Sequence, residues 1–236
     1  CRNSYLTLNN LIISGMSIGI MAHYNSNIDI YNSEIYNNQI GVYVLPSAHL
    51  NGTNMNIHHN INDSDGGAGI YIMSAYSATA TISNSIIHNN TGTLPGAIRN
   101  GGQLWLTNVT ITDNIGTIDG SSGGIWQKSP EIQNSGEEAI IHMRNCILYG
   151  NTPAENYNVQ NNNGFYPTCW DLDYNNIEVL SLPSSCDYNI GNNNQYNIDP
   201  LFCDPLNGDY TLKANSPCIG SGENGSDIGK YGIGCN

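Results

Sequence analysis

Residues 28–42 read IDIYNSEIYNNQIGV: an alternating stretch, then Asn32, the apolar Ile35 three positions on, and Asn38 three further. The same spacing returns as Asn54, Ile57 and Asn60, as Asn84, Ile87 and Asn90 in ATISNSIIHNN, as Asn108, Ile111 and Asn114 in LWLTNVTITDN, and as Asn145, Leu148 and Asn151 in MRNCILYGN. An earlier copy, LTLNNLIISGMSIGI, carries Asn10 and Ile13 but has Met16 where the second Asn stands elsewhere. Successive first asparagines lie 22, 22, 30, 24 and 37 residues apart, the behaviour of a coil whose turns accept insertions. Self-similarity at this period is the mark of a solenoid.

Within each copy, segments such as Ile28-Asp29-Ile30, Leu104-Trp105-Leu106 and Ile141-His142-Met143 alternate with a period of two, so that one face turns inward. Each run is too short to be stable alone. Stacked in parallel on its copies, at roughly 4.8 Å per coil, it pairs its backbone above and below and joins one continuous core. The expected fold is all-β, a right-handed single-stranded parallel β-helix with a loop-rich, disulfide-bonded C-terminal cap. Residues 1–168 are assigned to the coils, and 169–236 to the last coils and the cap of the same domain. Asn10, Asn32, Asn54, Asn84, Asn108 and Asn145 are the expected turn formers, because a short amide tolerates left-handed backbone angles and bonds local main chain. Aligned turns would let these amides stack in a ladder. Gly-apolar pairs at Gly19-Ile20, Gly41-Val42, Gly69-Ile70 and Gly124-Ile125 open the next strand of the same coil.

Composition points the same way. Only 11% of residues are charged, while 38 are Asn and 26 are Gly, which argues against a helix-rich domain. Apolar residues make up 39% and sit in register, which argues against a disordered polar tract. No run approaches the roughly 18 apolar residues of a membrane helix, so no transmembrane segment is expected. Six basic against nineteen acidic residues give a net charge of −13, which disfavours nucleic acid and anionic membranes as partners.

Of seven cysteines, Cys169, Cys186, Cys203, Cys218 and Cys235 fall in the loop-rich last third and are the disulfide candidates, their connectivity left open. Cys146 follows a repeat Asn and is expected to be a small buried or turn residue. No CxxC pair with zinc spacing is present. The end of the chain reads Asp199-Pro200-Leu201-Phe202, Asp204, Gly208-Asp209-Tyr210, Leu212, Ser216-Pro217, Ile219-Gly220, Gly222, Asp227-Ile228-Gly229 and Tyr231-Gly232. Over these roughly 40 residues it resembles the closing segment of bacterial secreted parallel β-helix proteins of the choice-of-anchor kind, and upstream the repeats resemble the broader pectate-lyase-like superfamily. That resemblance implies an exported protein, extracellular or on the bacterial cell surface. Physically, Leu201, Phe202, Tyr210, Leu212 and Ile219 are suited to folding over the last coil, and Pro200, Pro205 and Pro217 block further strand pairing.

The function read from this pattern is a noncatalytic extracellular structural, adhesive or surface protein. Its supporting features are the missing paired-Asp, Gly-His-Gly and Arg-x-Lys signatures of polygalacturonase-like enzymes and the scarcity of bases. An uncovered first coil would accept another copy end to end, so the chain itself is one expected partner. Extracellular polysaccharide is the other. Taking one residue per coil, two before the second repeat Asn, gives Ser14, Tyr36, His58, His88, Thr112 and Tyr149. Tyr36, His58, His88 and Tyr149 would form a glycan-binding edge, competing with the reading that they are ordinary turn residues. A polysaccharide lyase or hydrolase is the third reading, with Asp63, Asp65, Asp113 and Asp119 as acids near the turns and no catalytic pair assigned. No cofactor is required. Calcium is one candidate metal, at Asp63 and Asp65, in a loop that lacks both the usual first ligand and a closing acid. A transition metal between His58 and His88 is the other, and their column shows no carboxylate or third His to complete it.

Overall fold

The computed structural model describes residues 4–64, 66–73, 77–128, 139–159, 168–181 and 189–236. Among them the chain winds through three stacked parallel sheets of eight, seven and eight strands, with no α-helix. Each complete coil contributes one strand to each. In the second coil these are Asn27–Tyr31, Glu34–Tyr36 and Ile40–Val44. The first sheet runs from Tyr5–Asn9 to Asn189–Ile190 and the second from Ile12–Ser14 to Gln195–Tyr196. Coil strands therefore continue to Tyr196, and the division drawn at residue 168 falls at the start of the strand Thr168–Asp173.

Register follows the repeat. Ile13, Ile35, Ile57, Ile87, Ile111 and Leu148 are successive partners down the second sheet and point into the core. The first sheet adds Ile28, Leu50, Leu104 and Ile141, and the third adds Val42, Ile70, Ile98 and Ile125, all buried. Each fully buried Ile or Leu contributes about 2 kcal/mol by removal from water.

The two asparagines of the repeat occupy different turns. The first bends the chain between first and second sheets: Asn10, Asn32, Asn54, Asn84, Asn108 and Asn145 all have φ between 47° and 55°. Their amides are linked only in places, Asn54 donating to Asn32 at 2.8 Å and Asn108 to Asn84 at 3.2 Å. The second Asn lies inside the turn between second and third sheets, and here the ladder is continuous. Asn38 donates to Asn60, Asn60 to Asn90, Asn90 to Asn114 and Asn114 to Asn151, at 2.9 to 3.0 Å. Each of these amides also ties down main chain: Asn90 Nδ2 reaches the carbonyls of Ile57 and His88, both at 3.0 Å. In the first coil Met16 has no amide to add, but its backbone N–H still donates to Asn38 Oδ1 at 3.0 Å.

The ladder explains the glycines that open the third strands. A Cβ on Gly41 would lie 2.6 Å from the Gly69 carbonyl and 3.1 Å from Asn60 Nδ2, and Gly19 meets Gly41 and Asn38 in the same way. Neighbouring main chain and the amide column fill that space.

The C-terminal segment is placed differently from the expected cap. Its strands Phe202–Asp204, Asp209–Lys213 and Ile233–Cys235 form a separate small sheet, closed by a Cys203–Cys235 disulfide. Instead of folding over the last coil, the segment lies along the outer face of the second sheet as a strap reaching back to the third coil. Leu212, Cys218 and Ile228 pack on Ile147, with Phe202, Ile219 and Tyr149 around them. Gly229 N donates to the Asn145 carbonyl at 2.7 Å, Lys230 N to Thr110 Oγ1 at 3.0 Å and Lys230 Nζ to the Met55 carbonyl at 3.3 Å. Gly229 has φ +98°, and a Cβ there would sit 2.6 Å from Ile147 Cδ1, so only glycine lets the backbone approach this closely. Cys218 is a buried free thiol, which corrects its assignment as a disulfide candidate: it belongs to the strap's apolar face. The side chains of Cys169 and Cys186 lie outside the described residues. Cys146 is also free and buried, its thiol donating to the Arg144 carbonyl at 3.2 Å as the Ser85 hydroxyl donates to that of Ser83.

Candidate functional site

The outer face of the second sheet brings the sequence-picked residues into one column: Ser14, Tyr36, His58, His88, Thr112 and Tyr149 are consecutive register partners. Stacked coils set the rings about one strand spacing apart. Tyr36 and His58 lie 5.1 Å apart and 2° from parallel, and His58 and His88 5.0 Å and 14°. The ring faces are thus turned toward one another along the helix axis.

The strap divides this column. Tyr210 packs on His88 with centroids 4.9 Å apart, leaving His88 8% exposed, while Tyr149 packs against the strap's apolar cluster. The strap therefore interrupts, at His88, the edge expected through Tyr36, His58, His88 and Tyr149; Tyr36 and His58 are half-buried. His88 Nε2 is bonded to Asn56 Oδ1 at 3.0 Å and Nδ1 to Asn89 Nδ2 at 3.0 Å. Burial, with His58, His59 and Lys230 nearby, lowers His88 to about 3. Burial likewise lowers Lys230 to about 8 and raises Asp113, whose carboxylate is hydrogen-bonded to Tyr210. Asp113 thus holds the strap, and beside it a cleft of about 220 Å³ is lined by Tyr149, Asp199, Phe202 and Lys213.

The next column, Gly15, Asn37, His59, Asn89, Asp113 and Gly150, is the turn itself, every member having positive φ. His58 Nε2 contacts Glu34 Oε1 at 2.9 Å, and His58 Nδ1 lies 2.7 Å from His59 Nδ1. A cleft of about 440 Å³ opens beside His59, bordered by Met16, Asn37 and Gln39.

A second polar stripe, missed in the sequence, runs down the outer face of the first sheet through Thr7, Asp29, Asn51, Thr81, Trp105, His142 and Asp171. Asn51 donates to Asp29 at 2.8 Å, and the Tyr5 hydroxyl donates to the same carboxylate. Trp105 stacks on His142 at 5.2 Å and 6°. Asp171 accepts from Arg144 at 3.0 Å and contacts His142 Nδ1 at 2.9 Å. Burial pushes the Asp171 carboxyl up, but His142 and Arg144 outweigh it and hold the group below its ordinary value. Counting three residues back from each first Asn picks out this column, the same arithmetic that yielded the Tyr/His one. On the third sheet Arg99 is sandwiched between Tyr71 and Trp126, 4.8 and 5.0 Å from the ring centroids.

Asp63 is exposed and Asp65 lies outside the described residues. Asn62 Oδ1 accepts from the Ser64 backbone and hydroxyl, the pattern of a local turn. Among the described residues no group of three or more His, Cys, Asp or Glu side chains is arranged to hold a metal. Nor is any helix among them long and apolar enough to cross a membrane.

Residues 19–199 match the family model described as the right-handed β-helix region, well over half of the chain. The chain belongs to the right-handed parallel β-helix family. A comparison with curated proteins finds no match.

Proposed function

We propose that this chain is a noncatalytic extracellular structural or adhesive protein of the bacterial surface, a rigid rod whose fixed faces contact other copies or a polysaccharide matrix. One observation carries the reading: the outward polar side chains are bonded to each other from coil to coil. Asp29 is held by Asn51 and Tyr5, His58 by Glu34, His88 by Asn56, Thr53 by Ser83, and Asp171 by His142 and Arg144. Groups committed in this way stiffen the stack. A hydrolase instead needs two carboxyls about 5 to 9 Å apart with one free to exchange a proton, whereas Asp113 is engaged by Tyr210 and Asp171 by two cations or donors. The test is incubation with neutral and acidic polysaccharides, calcium included. No released oligosaccharide, together with ordered self-association or cosedimentation with an insoluble matrix, is the expected result. Oligosaccharide release that disappears in Asp113→Asn or Asp171→Asn would overturn the reading.

A glycan-binding role is favoured by one observation, the partly exposed Trp105 beside the Asp171 network on the flat face of the first sheet. An aromatic ring beside fixed polar groups suits a sugar. On a glycan array, binding lost in Trp105→Ala and kept in Tyr36→Ala places the site on that face; the reverse returns it to the Tyr/His column.

A further inference from the structure

Two of the six histidines converge on each other. His58 ends the strand Asn56–His58 and His59 begins the turn, and neighbours in an extended chain would point to opposite sides. At His59 the backbone is left-handed, with φ 51°, which brings its ring back beside that of His58. The two Nδ1 atoms lie 2.7 Å apart and the ring planes cross at 85°.

His58 is fixed before any ligand arrives. Its ring is stacked between Tyr36 and His88, and its Nε2 lies 2.9 Å from Glu34 Oε1. A carboxylate only accepts, so Nε2 carries the proton and Nδ1 presents a lone pair toward His59. Two lone pairs cannot face one another at this distance without a positive centre between them. In the ligand-free protein that centre is a shared proton, His59 Nδ1–H donating to His58 Nδ1. Shifting that proton to His59 Nε2 is a simple tautomer change, and it leaves both Nδ1 lone pairs aimed at one point.

We propose that the Nδ1 atoms of His58 and His59 form a two-nitrogen clamp for a divalent transition-metal ion, with Glu34 as the carboxylate that orients His58 and the adjoining cleft supplying water to the remaining positions. A carboxylate behind a ligating imidazole is the usual support for such a ligand. Metal–nitrogen bonds of about 2.0 to 2.1 Å place adjacent ligand nitrogens about 2.9 Å apart in a square-planar site and about 3.3 Å apart in a tetrahedral one, so the two Nδ1 atoms, 2.7 Å apart, must part by roughly 0.2 to 0.6 Å. His59 is exposed and borders the 440 Å³ cleft with Asn37 and Gln39, so its ring has room to move. Imidazole donors bind copper(II) more tightly than zinc. The other four histidines offer no such pair. Nδ1 of His23 accepts from the Tyr24 N–H, that of His49 bonds Thr79, that of His88 bonds Asn89 and that of His142 bonds Asp171.

The test uses the full chain with 15N-labelled histidine, titrated with zinc chloride and followed at the imidazole nitrogens, with copper(II) calorimetry alongside. The expected result is a metal-induced shift at Nδ1 of both His58 and His59, with His58 Nε2 remaining protonated. His59→Asn, which tolerates the left-handed backbone, removes this site, and Glu34→Gln weakens it about 10- to 100-fold. His23→Ala leaves it unchanged. Either metal binding that leaves both Nδ1 resonances in place, or undiminished affinity in His59→Asn, would overturn the clamp, as would no shift at millimolar zinc.

Discussion

The two asparagine columns of this β-helix use the same side chain for opposite purposes. At Asn32, Asn54 and Asn84 the residue is exposed and serves its own backbone, because it accepts left-handed angles at little steric cost. At Asn60, Asn90 and Asn114 the residue is fully buried and serves its neighbours, each amide joining the turns of adjacent coils. The outer column sets the direction of the chain; the inner one holds the coils together. Buried hydrogen bonds are the ones whose loss is felt, since an orphaned carbonyl costs about 1 to 3 kcal/mol where water cannot replace the donor.

Crowding the inner column should have the largest effect. Gly41→Val drives a side chain into the Gly69 carbonyl and Asn60, and equilibrium unfolding should record a loss of about 3 kcal/mol or more. Next comes the strap, which grips the outer column at Asn145: Gly229→Ala meets Ile147 and a positive φ. A loss of about 2 kcal/mol is expected, with Cys218 becoming open to alkylation by peptide mapping.

Acid probes the same contact. His88 is near 6.5 when unfolded and about 3 beneath Tyr210, so the folded state resists a proton that the unfolded chain takes up. Its stabilising effect is complete above pH 6.5 and declines as pH falls from there toward 3, by at most about 1.4 kcal/mol per pH unit. His88→Gln should flatten that acid limb in pH-dependent unfolding. The smallest effect belongs to the outer column, where Asn32→Gly retains the left-handed turn and should change stability by no more than about 0.5 kcal/mol. A large loss there would erase the distinction between the columns.

Much of the coil was legible because its signals are local. Alternation placed Ile28, Ile30, Leu104 and Leu106 inside, and the first Asn of each repeat marked the left-handed turn. Which asparagine column turns inward was not legible, since both carry the same residue and differ only in turn geometry. The strap was missed for another reason: Lys230 meets Thr110 and Met55 across 120 and 175 residues of sequence. Its trace was nonetheless present. The outward column that runs through Ile12, Glu34 and Asn56 in early coils holds Ile86 and Ile147 in later ones. Ile12 stays exposed, whereas Ile86 and Ile147 are both 1% exposed, so the recurrence of apolar residues there hinted at a cover without showing which coils it reaches. Of the expected Tyr/His edge, the column was readable from spacing, but its interruption was not, because Tyr210 arrives from the far end of the chain.

The most direct test substitutes one atom in each column. Asn90→Asp replaces a donor that serves the carbonyls of Ile57 and His88 and the Asn114 amide with an acceptor in a buried site, and Asn84→Asp keeps an oxygen for Asn108 at an exposed turn. Side-by-side equilibrium unfolding at neutral pH should show a loss of about 3 kcal/mol or more for Asn90→Asp and under about 1 kcal/mol for Asn84→Asp. Equal losses, or a greater one at Asn84, would contradict the claim that the inner asparagine column holds the coils together.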